Sequence, residues 1–165
     1  MDSRHEEVAT AYEKWSNTSI NPRSRFLLAE TFTAMNQHNA ALVQLKKAWE
    51  TPGYQKTQKE LLLAGRLAQV LGLNTEAESY ISDCFQANVD SPEGKEALTD
   101  MAKILYAEER FSELLKYCEE AVKLKPQDPI LMTFLGHAYW NFKEYMQAAA
   151  AYDKAFELEI GRAHV

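Results

Sequence analysis

The sequence lacks the features that most catalytic and membrane-bound proteins need. It contains no HExxH, CxxC or Walker-loop motif and no glycine-rich dinucleotide motif, so the common metal, redox and nucleotide chemistries are not indicated. No apolar run approaches the roughly 20 residues of a membrane span, and residues 1–7 have no apolar core of the kind that a signal peptide carries. We therefore expect a cytoplasmic protein that is not an enzyme, binds no cofactor and has no membrane partner.

Basic residues are also too few for a nucleic-acid surface. The chain has 18 Lys and Arg against 24 Asp and Glu, a net charge of −6, and no basic run. Because affinity for nucleic acids depends on many Lys and Arg contacts to phosphates, this balance argues against a nucleic-acid partner.

What the sequence does have is a 34-residue period. It is visible in two sets of positions: Cys84, Cys118 and Tyr152, and Ala87, Ala121 and Ala155. When repeats are started at Leu61, Lys95 and Pro129, the seventh, eighth and eleventh positions are apolar or small. Apolar residues recur at three- and four-residue intervals, as amphipathic helices require, and no segment alternates like a strand. The period predicts an array of helical repeats.

This pattern resembles the tetratricopeptide repeat, a 34-residue helix–turn–helix unit. Residues 129–159 carry its signature most fully, in Met132, Leu135-Gly136, Tyr139, Ala148, Tyr152 and Ala155. More divergent repeats cover 95–128, 61–94 and about 22–55, and roughly five extra residues within 51–60 interrupt the period. The resemblance implies an all-α fold, a right-handed α-solenoid of antiparallel helix hairpins.

The two ends of the chain stand outside this array. Residues 1–21 are expected to form an N-terminal capping helix or a degenerate repeat. Residues 160–165 match the translation of a common sequencing-library adapter, so we expect a non-native tail and a natural chain that continues beyond residue 159.

The two cysteines could be read as a redox pair or as metal ligands. Equivalent residues of successive repeats should lie about 8–10 Å apart, the spacing of packed helices, whereas a disulfide needs Cα atoms within about 7 Å. We therefore predict that Cys84 and Cys118 are buried small apolar side chains. The histidines have no partners at metal-ligand spacing.

A binding surface is expected on the first helix of each repeat. In the family that the sequence resembles, positions 2, 5, 6, 9 and 12 of that helix line the concave face. Residues with rigid rings and charges at these positions suit a protein or peptide partner, because rings bury area at low entropic cost and charges set register. The candidate peptide-binding residues are Arg66, Gln69, Asp100, Lys103, Tyr106, Phe134, His137 and Trp140. The alternative is that Phe134 and Trp140 pack against a following repeat or capping helix.

Three functions fit these observations. The first is a protein-interaction scaffold that binds a peptide or helix of a partner. The second is the regulatory or targeting arm of an enzyme or transcription regulator whose other domain lies beyond residue 159, and the third is a structural segment of a longer solenoid. Capture of a chaperone C-terminal carboxylate is disfavoured, because the corresponding positions hold Asp100 and Glu96 rather than a clamp of lysine, asparagine and arginine.

Overall fold

The computed structural model describes Thr10 and residues 21–163. The helix expected near residues 6–15 therefore lies, apart from Thr10, outside the described residues. Within residues 21–163 there are eight α-helices and no strand. The helices are α1 (Pro22–Ala34), α2 (His38–Trp49), α3 (Gln58–Val70), α4 (Asn74–Ala87), α5 (Pro92–Ala107), α6 (Phe111–Leu124), α7 (Pro129–Asn141) and α8 (Tyr145–Ala163).

These helices form two compact units, Met1–Ala87 and Asn88–Val165. In the first unit α1 pairs with α2 and α3 with α4, and α2 packs against α3. In the second unit α5 pairs with α6 and α7 with α8, and α7 packs against both α5 and α6. Each unit is thus a pair of stacked helix hairpins.

The first helix of each hairpin begins at a residue whose side chain caps it. The caps are Asn21, Thr57, Ser91 and Asp128, and each accepts a hydrogen bond from a backbone N–H of the first turn. Proline follows the cap in α1, α5 and α7, where its missing N–H costs nothing and its fixed φ suits the helix. The sequence therefore specifies locally where each hairpin starts.

The four hairpin turns share one geometry. Each has a residue of positive φ at its centre, namely Asn36, Gly72, Glu109 and Lys143. In each turn the N–H of the next residue bonds back to the carbonyl five residues earlier, as in Gln37 to Phe32 at 2.8 Å and Glu144 to Tyr139 at 3.0 Å. This is the hydrogen-bond pattern of a Schellman motif, which reverses the chain within three residues.

The turns correct the frame of the second repeat. Asn36, Glu109 and Lys143 are fifteenth in repeats that start at Pro22, Lys95 and Pro129, but Gly72 is only twelfth in a repeat that starts at Leu61. The equivalent repeat starts at Gln58, the first residue of α3. Cys84 then occupies the position of Ala121 rather than that of Cys118.

In this corrected frame each repeat has a small residue at the eighth position and a larger one at the twenty-fourth. The pairs are Ala29 with Leu45, Gly65 with Ile81, Ala102 with Cys118, and Gly136 with Tyr152. A Cβ atom on Gly65 would lie 2.5 Å from Ile81, so the absence of a side chain there permits close packing of the two helices.

The buried state of both cysteines confirms the prediction of small core side chains. Cys84 Sγ donates to the carbonyl of Gln58 at 3.4 Å, and the Gln58 amide donates back to the Cys84 carbonyl at 2.7 Å. Cys84 therefore joins the end of α4 to the start of α3. Burial raises the pKa of the Cys118 thiol to about 12, which keeps it protonated and unreactive at neutral pH.

Candidate functional site

Four ring-bearing side chains of the second unit meet in one group, which we call the aromatic cluster: Tyr106, Phe134, His137 and Tyr152. The Tyr106 ring centroid lies 5.4 Å from that of Phe134 and 5.0 Å from that of His137. The His137 and Tyr152 rings are 5.5 Å apart in an edge-on arrangement. Separations of this size are typical of attractive ring pairs.

The cluster is held in place by the cap of α7. Asp128 accepts hydrogen bonds from the N–H groups of Ile130 and Leu131 and from the hydroxyl of Thr99 on α5. It also forms an ion pair with Lys125 at 2.5 Å. Burial opposes ionisation of Asp128, but the bonds from Lys125 and Thr99 outweigh it and hold the pKa below its ordinary value. The network fixes the start of α7 against α5, and with it the spacing of Phe134 and Tyr106.

Gly136 allows Tyr152 to join the cluster. A Cβ atom at Gly136 would lie 2.5 Å from Cε1 of Tyr152, so the ring rests directly on the backbone of α7. In this position the Tyr152 hydroxyl is 2.9 Å from Nδ1 of His137, a hydrogen-bond distance. Tyr152 was not among the candidate residues, because its position in the repeat indicates packing. Gly136 was the signal that the ring reaches α7.

His137 is neutral at physiological pH in this setting. It is partly buried, and burial lowers the pKa of its imidazole. A neutral ring can accept the Tyr152 hydroxyl proton at Nδ1 and leave Nε2 to donate. The cluster thus combines apolar ring faces with one polar nitrogen.

Two charged candidates on α5 have different roles. Asp100 is only 2% exposed, and its carboxylate accepts a hydrogen bond from Lys103 Nζ at 2.7 Å. The buried carboxylate of Asp100 thus holds Lys103, and a contact between Asp100 and a partner stays a prediction. Lys103 is half-exposed and lies one turn before Tyr106.

Trp140 lies one turn beyond His137 on α7 and is 60% exposed. Its ring packs edge-on against Tyr145 at 5.1 Å rather than joining the cluster. Phe134, by contrast, is covered by Tyr106 within its own unit.

Arg66 and Gln69 lie on α3 of the first unit, where Arg66 is exposed and Gln69 is half-buried. They belong to the first unit, whereas the other six candidates belong to the second. In the repeat that starts at Gln58, Arg66 is the ninth residue and Gln69 the twelfth, and both positions are among those expected to line the concave face.

A depression of about 460 Å³ lies elsewhere in the first unit. It is lined by Arg23, Phe26 and Leu27 of α1, by Tyr54 and Thr57 of the connector that precedes α3, and by Lys59 and Glu60 of α3. We call it the Tyr54 depression. The sequence predicts Phe26 and Leu27 on the concave face, at positions 5 and 6 of the repeat that starts at Pro22, and an insertion within residues 51–60, but it does not predict that Tyr54 and Thr57 complete the lining.

Internal hydrogen bonds shape this depression. Glu60 is 1% exposed and accepts from the Tyr54 hydroxyl at 2.7 Å and from the backbone N–H of Thr57 at 2.7 Å. Burial and the bond to Glu60 raise the pKa of Tyr54 to about 12, so the phenol stays protonated. Lys56 of the same connector lies over the Trp49 ring, 4.7 Å from its centroid.

Among the described residues, no group of three or more His, Cys, Asp or Glu side chains is arranged to hold a metal ion. In residues 21–163, moreover, no helix combines the length and the apolar character that crossing a membrane demands.

Comparisons with known proteins agree on the fold. A family model described as tetratricopeptide repeat matches residues 131–159. A TPR repeat-containing protein of Treponema pallidum is 30% identical over 162 residues, which are 96% of this chain and 19% of that protein. The chain therefore spans about a fifth of this relative.

Solved structures match over nearly the whole chain. The crystal structure of MamA has a TM-score of 0.85 at 17% identity, covering 98% of this chain and 92% of MamA. YrrB, described as a TPR protein with an unusual peptide-binding site, has a TM-score of 0.77 at 16% identity over 94% of this chain and 78% of its own. The C-terminal part of a TPR repeat-containing protein from Cytophaga hutchinsonii has a TM-score of 0.74 at 19% identity over 94% and 60%. The predicted fold class, all-α with antiparallel helix hairpins, is thereby confirmed.

Proposed function

We propose that this chain, a member of the tetratricopeptide-repeat family, is a non-catalytic scaffold that binds a peptide or helix of a partner protein at the aromatic cluster and at the exposed ring of Trp140, one turn further along α7. The observation that carries the proposal is the cluster itself. Tyr106 remains 39% exposed although its ring contacts those of Phe111, Phe134 and His137. Rings that are fixed by packing and still open to solvent are the usual anchors of protein interfaces.

The surroundings of the cluster suit a peptide. Lys103 can set the register of a bound chain through a charge that is already held by Asp100, and His137 offers one nitrogen to a backbone group. The likeness to YrrB, which is described as having a peptide-binding site, adds support at the level of the fold. The cytoplasmic location remains a prediction from the sequence.

A second candidate is a regulatory or targeting arm of a larger protein. It is favoured by the share of the Treponema pallidum relative that the chain spans, which is 19%. In that case the aromatic cluster would bind the substrate or regulator of an activity encoded elsewhere.

The test compares partner capture by the unaltered chain, by a double variant at Tyr106 and Trp140, and by a control variant at Phe156. We expect Tyr106→Ala with Trp140→Ala to lose specific partners identified by mass spectrometry, because interface aromatics commonly contribute about 2 kcal/mol or more each. Phe156→Ala is the matched control, an exposed ring on α8 outside the cluster. Circular dichroism must show the same helix content in all three.

Retention of the same partners by the double variant would refute the proposal. Loss of helix content in the double variant would show that these rings serve packing. Tyr106→Phe then separates the roles, since it retains the ring and should retain the partners.

A further inference from the structure

The hairpin turn between α7 and α8 presents three exposed side chains that are largely apolar. Phe142 is 43% exposed, Tyr145 54% and Met146 84%. They lie within five consecutive residues, and we call them the turn patch. Trp140 borders the patch, because its ring packs edge-on against Tyr145. A contiguous apolar surface that is open to solvent often marks a place where another molecule binds.

The other three hairpin turns present no such surface. The patch residues are the fourteenth, seventeenth and eighteenth of the repeat that starts at Pro129. The corresponding residues of the other repeats are Met35, His38 and Asn39; Leu71, Asn74 and Thr75; and Glu108, Phe111 and Ser112. The larger apolar ones among them, Met35, Leu71 and Phe111, are partly buried. The eighteenth residue is polar in all three, so the turn itself needs no apolar side chain there.

A following hairpin would not account for Met146. Asn39 and Ser112 hold the same position in repeats that are followed by another hairpin of their own unit, and both remain exposed. Phe156 of α8 differs in this respect, because its equivalent in the first repeat, Trp49, is partly buried. Stacking of hairpins therefore covers the position of Phe156 but leaves the position of Met146 open to solvent.

Two charged residues lie between the patch residues. Lys143 and Glu144 are exposed, and neither forms an ion pair with any of the residues that the structure describes. In the turn between α5 and α6, by contrast, Arg110 is paired with Glu108 at 2.9 Å and with Glu113 at 2.6 Å. The turn patch thus carries one positive and one negative charge side by side.

A second copy of this chain is the occupant that these charges fit. In an interface of twofold symmetry the same patch meets itself, so that if residue i contacts residue j, j also contacts i. Lys143 of one copy can then face Glu144 of the other at two symmetric places, with the apolar side chains between them. An anionic membrane surface fits less well, because it would repel Glu144 and a chain of net charge −6.

The area of the turn patch suits a weak dimer. With about 200 Å² for a whole side chain of this size, the exposed parts of the three patch residues amount to roughly 350 Å² in each copy. Together with the charged residues between them, two patches would bury on the order of 1,000 Å², which is the size of small and transient interfaces. We therefore expect a dissociation constant on the order of 100 µM.

We propose that the turn patch is a self-association surface, through which two copies of this chain form a weak dimer of twofold symmetry with Lys143 of each copy opposite Glu144 of the other. This inference goes beyond the proposed scaffold function. A dimer presents two partner-binding surfaces, and it therefore raises the avidity for a partner that carries two binding segments.

Sedimentation equilibrium of the full chain, up to a concentration of about 1 mM, tests the apolar contact. Tyr145→Asn with Met146→Thr reproduces Asn74 and Thr75 of the second repeat, so the fold should tolerate both changes. We expect this double variant to self-associate at least about tenfold more weakly. Phe156→Ala is the matched control, since it removes an exposed ring of α8 outside the patch and should leave the dissociation constant unchanged.

Charge exchange tests the symmetry. Lys143→Glu reproduces Glu109, which has the same positive φ, and Glu144→Lys places a basic residue where the third repeat has Arg110. Each single variant sets like charges opposite each other and should self-associate about tenfold or more weakly than the unaltered chain. An equimolar mixture of the two variants should regain association, and so should the chain that carries both changes.

A chain that stays monomeric at about 1 mM would overturn this inference. So would a dimer that is indifferent to the changes at Tyr145 and Met146, a dimer that is lost in Phe156→Ala, or a mixture of the two charge variants that associates no better than each variant alone. Partner capture through Tyr106 and Trp140 is measured at concentrations far below those of dimer formation, so either proposal can fail while the other stands.

Discussion

Replacing Gly136 with alanine tests how the aromatic cluster is packed. The new Cβ atom would lie 2.5 Å from Cε1, 2.7 Å from Cδ1 and 2.9 Å from Cζ of Tyr152. Carbon atoms in comfortable contact are about 3.5 Å or more apart. The Tyr152 ring must therefore retreat by about 1 Å, and its hydroxyl with it.

Three terms set the size of the effect. Alanine improves helix propensity over glycine by about 1 kcal/mol. Overpacking of a well-fitted contact costs about 1–3 kcal/mol, and loss of the hydrogen bond from Tyr152 to His137 costs about 1 kcal/mol more. We expect Gly136→Ala to lower the free energy of unfolding by about 1–3 kcal/mol.

The chain itself suggests the compensating change. In the first repeat the equivalent pair is Ala29 with Leu45, and both residues are buried. Gly136→Ala combined with Tyr152→Leu reproduces that pair. The double variant should regain the stability that Gly136→Ala loses to overpacking, but it should still lack the hydrogen bond to His137.

Urea denaturation of the single and double variants measures these differences. Gly161→Ala is the control, because a Cβ atom there meets nothing within 4 Å and the change should be neutral or slightly stabilising. If Gly136→Ala proves as harmless as Gly161→Ala, the close contact between Tyr152 and α7 is wrong, and with it the way His137 is held.

Two further predictions concern stability. Asp128→Asn should lower the free energy of unfolding by about 1–3 kcal/mol at pH 7. Folding lowers the pKa of Asp128, so the ionised side chain stabilises the fold at pH values above its ordinary pKa of 3.8. This stabilisation is lost as the pH falls through the folded-state pKa. The free energies of unfolding of the two proteins, measured by denaturation, should therefore differ less at pH 3 than at pH 7. Deleting residues 160–165 should leave the thermal midpoint unchanged, because Ile160 and Gly161 are exposed on α8. The melting curves of chains 1–165 and 1–159 test this. A midpoint lower by several degrees in the shorter chain, equivalent to about 1 kcal/mol, would show that the segment packs against the fold.

The helices and their pairing could be predicted because their signals are local and repeated. Each first helix has a capping residue, and each repeat has a small residue at the eighth position and a larger one at the twenty-fourth. The frame of the second repeat could not be fixed in the same way. A shift of three residues rotates a helix by only about 60° from its starting face, so apolar positions still fall on one stripe. The distinguishing signal was Gly72, whose positive φ marks the turn.

The same small rotation leaves two of the predicted site residues on the same helix face in both frames. Arg66 and Gln69 lie on the expected face of α3 under either frame. The burial of Asp100 could not be predicted from this pattern, because burial of a side chain depends on neighbours from other helices, which the pattern of a single helix does not contain. Tyr54 was missed because an insertion has no place in the repeat.

The twenty-fourth position shows how a site arises from a packing position. Leu45, Ile81 and Cys118 fill it with side chains that only pack, whereas Tyr152 brings a hydroxyl that reaches His137. A tyrosine fits because Gly136 has no side chain, and the hydroxyl in turn orients the imidazole beside Tyr106. If a substitution at Tyr152 abolishes partner binding, the cause can be lost packing of the ring on Gly136 or lost orientation of the His137 imidazole. Tyr152→Phe separates the two, because it keeps the ring on Gly136 and releases His137. If this variant loses partner binding while its stability falls by no more than the about 1 kcal/mol of the lost hydrogen bond, the tyrosine acts by orienting His137.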